Sequence, residues 1–163
     1  MTRRTRLTGE LEIVYRLRYR HFLRVATAIL GEEAAGHDAV QEGFANALRE
    51  QESFRGDGPL EAWVWRSVVN AALATRRGRL PRRESAEAVD PASANGHAAD
   101  EVGVRAWVAA LPERQRLTVY LRYYADLDYR SIAQALDVEV GTVSAALSSA
   151  HQALRRSLKE VER

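Results

Sequence analysis

Apolar positions recur at helical spacing along most of the chain. Between Leu11 and Leu30 the residues Leu11, Val14, Tyr15, Phe22, Val25, Ala26 and Ile29 step by three, four and seven. That pattern predicts one helix with one buried face, closed by Gly31. Arg16, Arg20 and Arg24 fall four apart on another face and read as a solvated stripe. A second helix is predicted from Glu33 to Gln51, with Val40, Phe44, Ala47 and Leu48 inward. Asp38, Gln41, Glu42 and Ala45 then face elsewhere, as an acidic patch beside an apolar one.

The run from Phe54 to Pro59 holds two glycines and ends on a proline, so it reads as a turn leading into a third helix that reaches about Arg77. On that helix Leu60, Trp63, Val64, Ser67, Val68 and Ala71 are expected to face a core. Trp65, Arg66, Val69, Asn70, Leu73 and Arg77 share the other side, where Trp65 and Val69 are unusual for a purely solvated surface. A basic cluster follows: Arg76, Arg77, Arg79, Arg82 and Arg83. From Glu84 to about Gly103 large apolar residues are absent apart from Val89 and Val102, which predicts a flexible linker. Beyond it, helices are predicted over about 104–110, 113–124, 129–136 and 140–162.

The expected fold class is therefore all-α: two small helical domains, residues 1–83 and 104–163, joined by a flexible acidic linker at 84–103. Within the second domain Ile132, Ala133 and Leu136, a tight Asp137-Val138 turn, then Val143 and Leu147 form the core of a helix-turn-helix. Ala133 is small where two helices must approach closely, and Asp137 sits where a left-handed residue is needed, which Asp tolerates. The motif's physical use is to hold its second helix against the major groove of DNA. Spacing alone is equally compatible with an ordinary antiparallel helix pair.

Composition narrows the chemistry. The chain has no cysteine, so disulfides, thiolate nucleophiles and Cys-based zinc sites are excluded. Its four histidines, His21, His37, His97 and His151, are scattered without metal-ligand spacing, and no glycine loop suited to phosphate is present. No catalytic set emerges and no cofactor or metal is implied. Arginines interrupt every long apolar stretch near the N-terminus, so neither a signal peptide nor a membrane span is expected, and the location implied is cytoplasmic. Net charge is only +2, but it is unevenly placed. Residues 1–83 carry 15 basic and 10 acidic side chains, 84–103 none and 5, and 104–163 carry 9 and 7. Two mildly basic blocks flank an acidic connector, which permits polyanion binding.

Leu111-Pro112-Glu113-Arg114-Gln115-Arg116, Leu121 to Tyr124, Leu127 to Tyr129, Ile132, Ala133, Leu136 and Gly141-Thr142-Val143 resemble the C-terminal domain of extracytoplasmic-function (ECF) sigma factors. The stretch from His37 to Phe44 is similar to that family's polymerase-binding helix, and Phe54-Arg55-Gly56, Trp63, Arg66 and Asn70 follow in the matching order. The resemblance spans about residues 11–83 and 104–158. It implies a dissociable subunit of bacterial RNA polymerase, monomeric when free. Asp38, Val40, Gln41, Glu42 and Phe44 would meet a coiled coil of the polymerase β′ subunit, with the β subunit also contacted. Arg55, Trp65, Arg66, Asn70, Arg76 and Arg77 would handle the −10 promoter element, where separated strands require stacking planes, amide hydrogen bonds and cations. Arg114, Arg116, Arg122, Arg130, Thr142, Ser144, Ser148 and Ser149 would serve the −35 element. An anti-sigma partner is implied too, with regulation in trans, since nothing is appended to the two domains.

Three departures qualify that picture. Ala74 and Thr75 replace residues that are commonly charged in the family. The run Ser144-Ala145-Ala146-Leu147-Ser148-Ser149 lacks the Lys or Arg that makes the commonest guanine contact. Glu139 also stands where a small capping residue is usual, and would repel a nearby phosphate. Binding by this domain should therefore be weak and less salt-sensitive, with DNA shape as a remaining route to specificity. The rival readings are a sigma-like interaction protein with degenerate promoter recognition, and a stand-alone helix-turn-helix regulator.

Overall fold

The computed structural model describes residues 2–79 and 99–163. Among the described residues the regular structure is α-helix, apart from a 3-10 turn at Gln51–Ser53. Helices α1 (Arg3–Leu30), α2 (Glu33–Arg49) and α3 (Leu60–Arg79) form one bundle. Helices α4 (Ala99–Ala109), α5 (Glu113–Tyr123), α6 (Tyr129–Leu136) and α7 (Val140–Val161) form the second. The all-α, two-domain architecture is as the pattern predicts.

Boundaries differ where local chemistry outweighs periodicity. Helix α1 begins eight residues before the first predicted apolar position, because Thr2 caps it and Leu7 continues the buried stripe. It ends as expected: Gly31 is left-handed at φ 76° and its N–H donates to the Thr27 carbonyl at 2.7 Å. Helix α4 begins at Ala99, inside the segment expected to be linker, while residues 84–98 of that segment lie outside the described residues, as do Arg82 and Arg83.

The first core is aromatic. Phe22 lies against Trp65 with ring centroids 4.1 Å apart, and meets Phe44 edge-on at 5.1 Å. Tyr15 in turn meets Phe44 edge-on at 4.9 Å. Three helices are thus joined through one cluster of rings. Helices α2 and α3 approach so closely at Gly43 that a Cβ there would stand 2.6 Å from the Val68 Cα. Leu48, expected inward on α2, is 41 % exposed.

In the second bundle Ile132, Ala133, Val143 and Leu147 are buried together, as a helix-turn-helix core requires. Helix α6 is closed at both ends by aspartates. At its start the Asp128 Oδ1 accepts the Ser131 N–H at 2.7 Å. At its end Asp137 adopts the left-handed conformation expected of it, φ 55° and ψ 50°. Helix α7 has no such start: Glu139 occupies the N-cap without a side-chain hydrogen bond.

The cap at Asp128 gives a stability test. The hydrogen bonds from Ser131 hold its carboxyl below the ordinary value of 3.8. A depressed carboxylate stabilises the fold fully above its unfolded value, and that contribution is lost as pH falls through the folded value. Asp128→Ala should cost about 1 kcal/mol at neutral pH. Asp128→Asn should keep the cap and remove its share of the acid dependence. Thermal melting of all three proteins from pH 7 to pH 3 checks both; an alanine variant as stable as the parent at pH 7 would refute the assignment.

Candidate functional site

Helix α2 turns one edge fully to solvent. Asp38, Gln41 and Glu42 are exposed there, and Glu42 takes an ion pair from Arg49 at 3.1 Å. Val40 and Phe44, expected in the same binding set, are 0 % and 6 % exposed and belong to the core. The reason is their helical phase: both project between α1 and α3, with Phe44 held by Tyr15 and Phe22. They orient the edge and leave any direct contact to the polar residues. A mixed acidic and amide edge on a rigid helix suits a partner surface carrying cations.

Trp65 is a second correction. It was expected on the less buried side of α3, yet it is 0 % exposed, packed on Phe22 with its indole N–H 3.4 Å from the Glu61 Oε1. It cannot offer a plane to a base. Trp63, expected in the core, is only half-buried and lies beside Phe54 with centroids 5.4 Å apart. The two tryptophans thus exchange roles, since α3 buries a wider arc than a helix with one packed face. Trp63, Arg66, Asn70 and Arg77 are spaced three, four and seven apart, and the last three are exposed. This stripe carries a partly open ring, two guanidinium groups and an amide. Arg55 is exposed in the adjoining turn, where Gly56 supplies a left-handed φ of 82°. Arg76 is half-buried and faces the second bundle, near Arg116 and Tyr120.

The helix-turn-helix presents hydroxyls. Ser144, Ser148 and Ser149 are exposed along α7, and Thr142 is half-buried in its first turn. Of the four arginines expected to serve phosphates, Arg114 and Arg130 are exposed. Arg116 instead donates to the carbonyls of Ala109 at 2.9 Å and Leu111 at 3.3 Å, tying α5 to the end of α4. Burial lowers its pKa from the ordinary value, and Arg76 adds to that. Arg122 closes the loop after α5 by donating to Leu127 and lying 3.7 Å from Asp126. These two work inside the domain. The expected shortage of cations on this face is therefore sharper than the sequence alone indicated.

Sequence reasoning gave no sign of Arg18. Its Nε pairs with the Glu61 Oε1 at 2.7 Å and its Nη2 donates to the Ala125 carbonyl at 2.7 Å. One guanidinium thus links α1, α3 and the end of α5. Among the described residues no cluster of side chains could hold a metal ion, and no helix is long and apolar enough to cross a membrane.

Comparison with known proteins agrees with this layout. Residues 14–80 match Sigma-70 region 2, and residues 104–160 match Sigma-70 region 4. The ECF RNA polymerase sigma-E factors of Escherichia coli (strain K12) and Salmonella typhimurium (strain LT2) are 30 % identical over 166 residues, covering 90 % of this chain and 86 % of theirs. The RNA polymerase sigma-H factor of Pseudomonas aeruginosa is 28 % identical over 165 residues, with the same coverage of 90 % and 86 %. In overall shape the chain is similar to the sigma factor RpoE of Bartonella quintana, solved with the anti-sigma factor NepR (TM-score 0.68, 20 % identity, 94 % of this chain and 96 % of that one). It is also similar to CnrH, solved with the cytosolic domain of CnrY (TM-score 0.71, 18 % identity, 94 % and 90 %). With both sigma regions present in order and relatives at this identity along nearly their whole length, the chain belongs to the ECF family of bacterial RNA polymerase sigma factors.

Proposed function

We propose that this chain binds core RNA polymerase through the exposed edge of α2 and directs initiation at promoters read by α3 and α7. The observation that carries this reading is one chain holding two sigma regions, each with an accessible polar surface of suitable chemistry. Residues 1–83 dock and handle the −10 element; residues 104–163 anchor at the −35 element. On α3 the stacking plane is Trp63 in place of Trp65, with Asn70 hydrogen-bonding an exposed base and Arg55, Arg66, Arg76 and Arg77 neutralising phosphates. On α7 the serine hydroxyls and Thr142 meet the groove, with Arg114 and Arg130 as the phosphate contacts. The work is binding, without covalent chemistry and without a cofactor.

An anti-sigma partner follows from the same reading, in the cytoplasm. It is supported by the structural neighbour from Bartonella quintana, solved with the anti-sigma factor NepR. Family membership weighs against a stand-alone helix-turn-helix regulator. The hydroxyl-rich face of α7 remains the one observation that favours a sigma-like protein with weakened promoter recognition. Reconstitution with core polymerase separates that rival from the main reading: promoter-dependent run-off transcripts are expected, and polymerase binding without any transcript would overturn the main reading.

Two substitution sets test the surfaces. Asp38→Lys with Glu42→Lys should weaken binding to core polymerase by at least about tenfold, as like charges come to face a basic partner. Trp63→Ala and Asn70→Ala should leave polymerase binding intact and slow promoter opening, read by permanganate reactivity of unpaired thymines. Normal opening in both would refute the α3 assignment.

The uncapped start of α7 gives a third. Glu139→Ser supplies a hydroxyl acceptor for the first turn and should raise stability by about 1 kcal/mol or less. It also removes a negative charge from the DNA-facing end. Duplex binding, followed by fluorescence anisotropy, should therefore tighten as the melting temperature rises.

A further inference from the structure

Helix α1 begins ahead of the matched sigma region. Residues 14–80 carry the match to Sigma-70 region 2, whereas the helix starts at Arg3, so Arg3 to Ile13 form an arm that precedes it. This arm is built into the fold. Leu7 is 3 % exposed, and the Thr2 hydroxyl oxygen accepts the Thr5 N–H at 3.4 Å. The Thr8 hydroxyl donates to the Oε1 of Gln51 at 3.1 Å, and Gln51 is itself buried, its amide donating to the Leu48 carbonyl at 3.0 Å. Arg3 completes the seat: its Nη2 donates to the Phe54 carbonyl at 2.5 Å. The arm is thereby fixed against the 3-10 turn and the segment that follows it.

What the arm delivers there is positive charge. From Gln51 to Pro59 the chain carries Glu52, Arg55 and Asp57, all exposed, which is one cation between two carboxylates and a local sum of −1. A run of phosphates is repelled by such a turn. Arg3 and Arg4 are exposed as well, and with them the sum becomes +1. The first turn of α1 holds no acidic residue to offset them. Arg6 differs, since it lies 3.4 Å from Glu10. Among the described residues Arg4 and Arg55 make no ion pair.

The charge stands at one end of the α3 stripe. Phe54, whose carbonyl Arg3 holds, lies beside Trp63 with ring centroids 5.4 Å apart. Trp63 is the first member of the stripe that continues through Arg66 and Asn70 to Arg77. A strand with a base on Trp63 therefore runs toward Arg77 in one direction and toward the arm in the other.

We propose that the arm is a further nucleic-acid contact: Arg4, with Arg3 seating it and Arg55 beside it, holds the phosphates of the separated strand where that strand leaves Trp63. This rests on the reading of α3 as the −10 surface. The ligand is single-stranded DNA, and a guanidinium suits a phosphate because its N–H groups match the phosphate oxygens in pairs. Such a contact positions the strand and adds affinity without reading sequence. The footprint on the open strand then extends past the residues that the matched sigma region supplies.

Salt dependence distinguishes a phosphate contact from a structural effect. Each phosphate neutralised on a single strand contributes about −0.7 to the slope of log affinity against log salt. The probe is a fluorescein-labelled single-stranded oligonucleotide of mixed sequence, titrated with the full-length chain at a series of sodium chloride concentrations and followed by anisotropy. Arg4→Gln should make the slope shallower by about 0.7 and weaken binding several-fold. Arg4→Lys should keep the slope. Arg20→Gln, on the same exposed helix but about 24 Å away at about 1.5 Å per residue, should change neither. Arg4 is exposed and unpaired, so the melting temperature should be the same in all four proteins.

A slope indifferent to Arg4→Gln overturns the proposal. Equal losses from Arg4→Gln and Arg20→Gln overturn it too, as diffuse attraction to a basic helix. So does an Arg4→Gln effect confined to core-polymerase binding, which assigns the arm to a protein partner. No binding by the unsubstituted chain at the lowest salt has the same consequence. Failure of the α3 reading is distinct: Trp63→Ala and Arg77→Gln would leave affinity for the oligonucleotide unchanged while Arg4→Gln still lowered it.

Discussion

The first bundle depends on the contact between Phe22 and Trp65, two buried rings with centroids 4.1 Å apart. Phe44 closes on Phe22 from α2, so three helices are fixed in rotation about a common point. That rotation decides which residues are left outside. Because Phe44 and Val40 point inward, Asp38, Gln41 and Glu42 point outward; because Trp65 points inward, Trp63, Asn70 and Arg77 lie toward solvent. The polar surfaces of two helices are thus a consequence of one aromatic packing choice.

Much of this is legible in the sequence. Apolar periodicity located every helix of the described residues, and Asp137 was identifiable as left-handed from its place between two helical patterns. What misled was the assumption that a helix buries one face. Helix α3 packs on α1 and α2 along one side and on the second bundle along another, so Trp65 and Val69 are both buried although their positions differ from those of Val64 and Val68. Their apolar character was the available signal, since a tryptophan and a valine are poor choices for a solvated face. The Arg18 clasp had no signal of that kind. An arginine among several on α1 looks like any surface cation until the fold brings Glu61 and the Ala125 carbonyl to it.

The two surfaces proposed to read the promoter are chemically unequal. Helix α3 offers guanidinium groups, an amide and a ring, whereas α7 offers hydroxyls and small apolar groups. Two arginines that could have compensated in the second domain, Arg116 and Arg122, are instead bonded to backbone carbonyls that close α4 and the loop after α5. Exposed guanidinium groups are correspondingly more plentiful on α3 and its adjoining turn than on α7's first turns.

The close approach of Gly43 to Val68 carries a consequence for how such a chain can change over generations. The edge proposed to meet polymerase and the stripe proposed to meet nucleic acid lie on two helices whose separation is set at this point. A side chain at position 43 would push α3 away from α2 and alter the angle between those surfaces. Drift at one interior glycine would then appear as misalignment of two partners on a large assembly, even where each surface is itself unaltered.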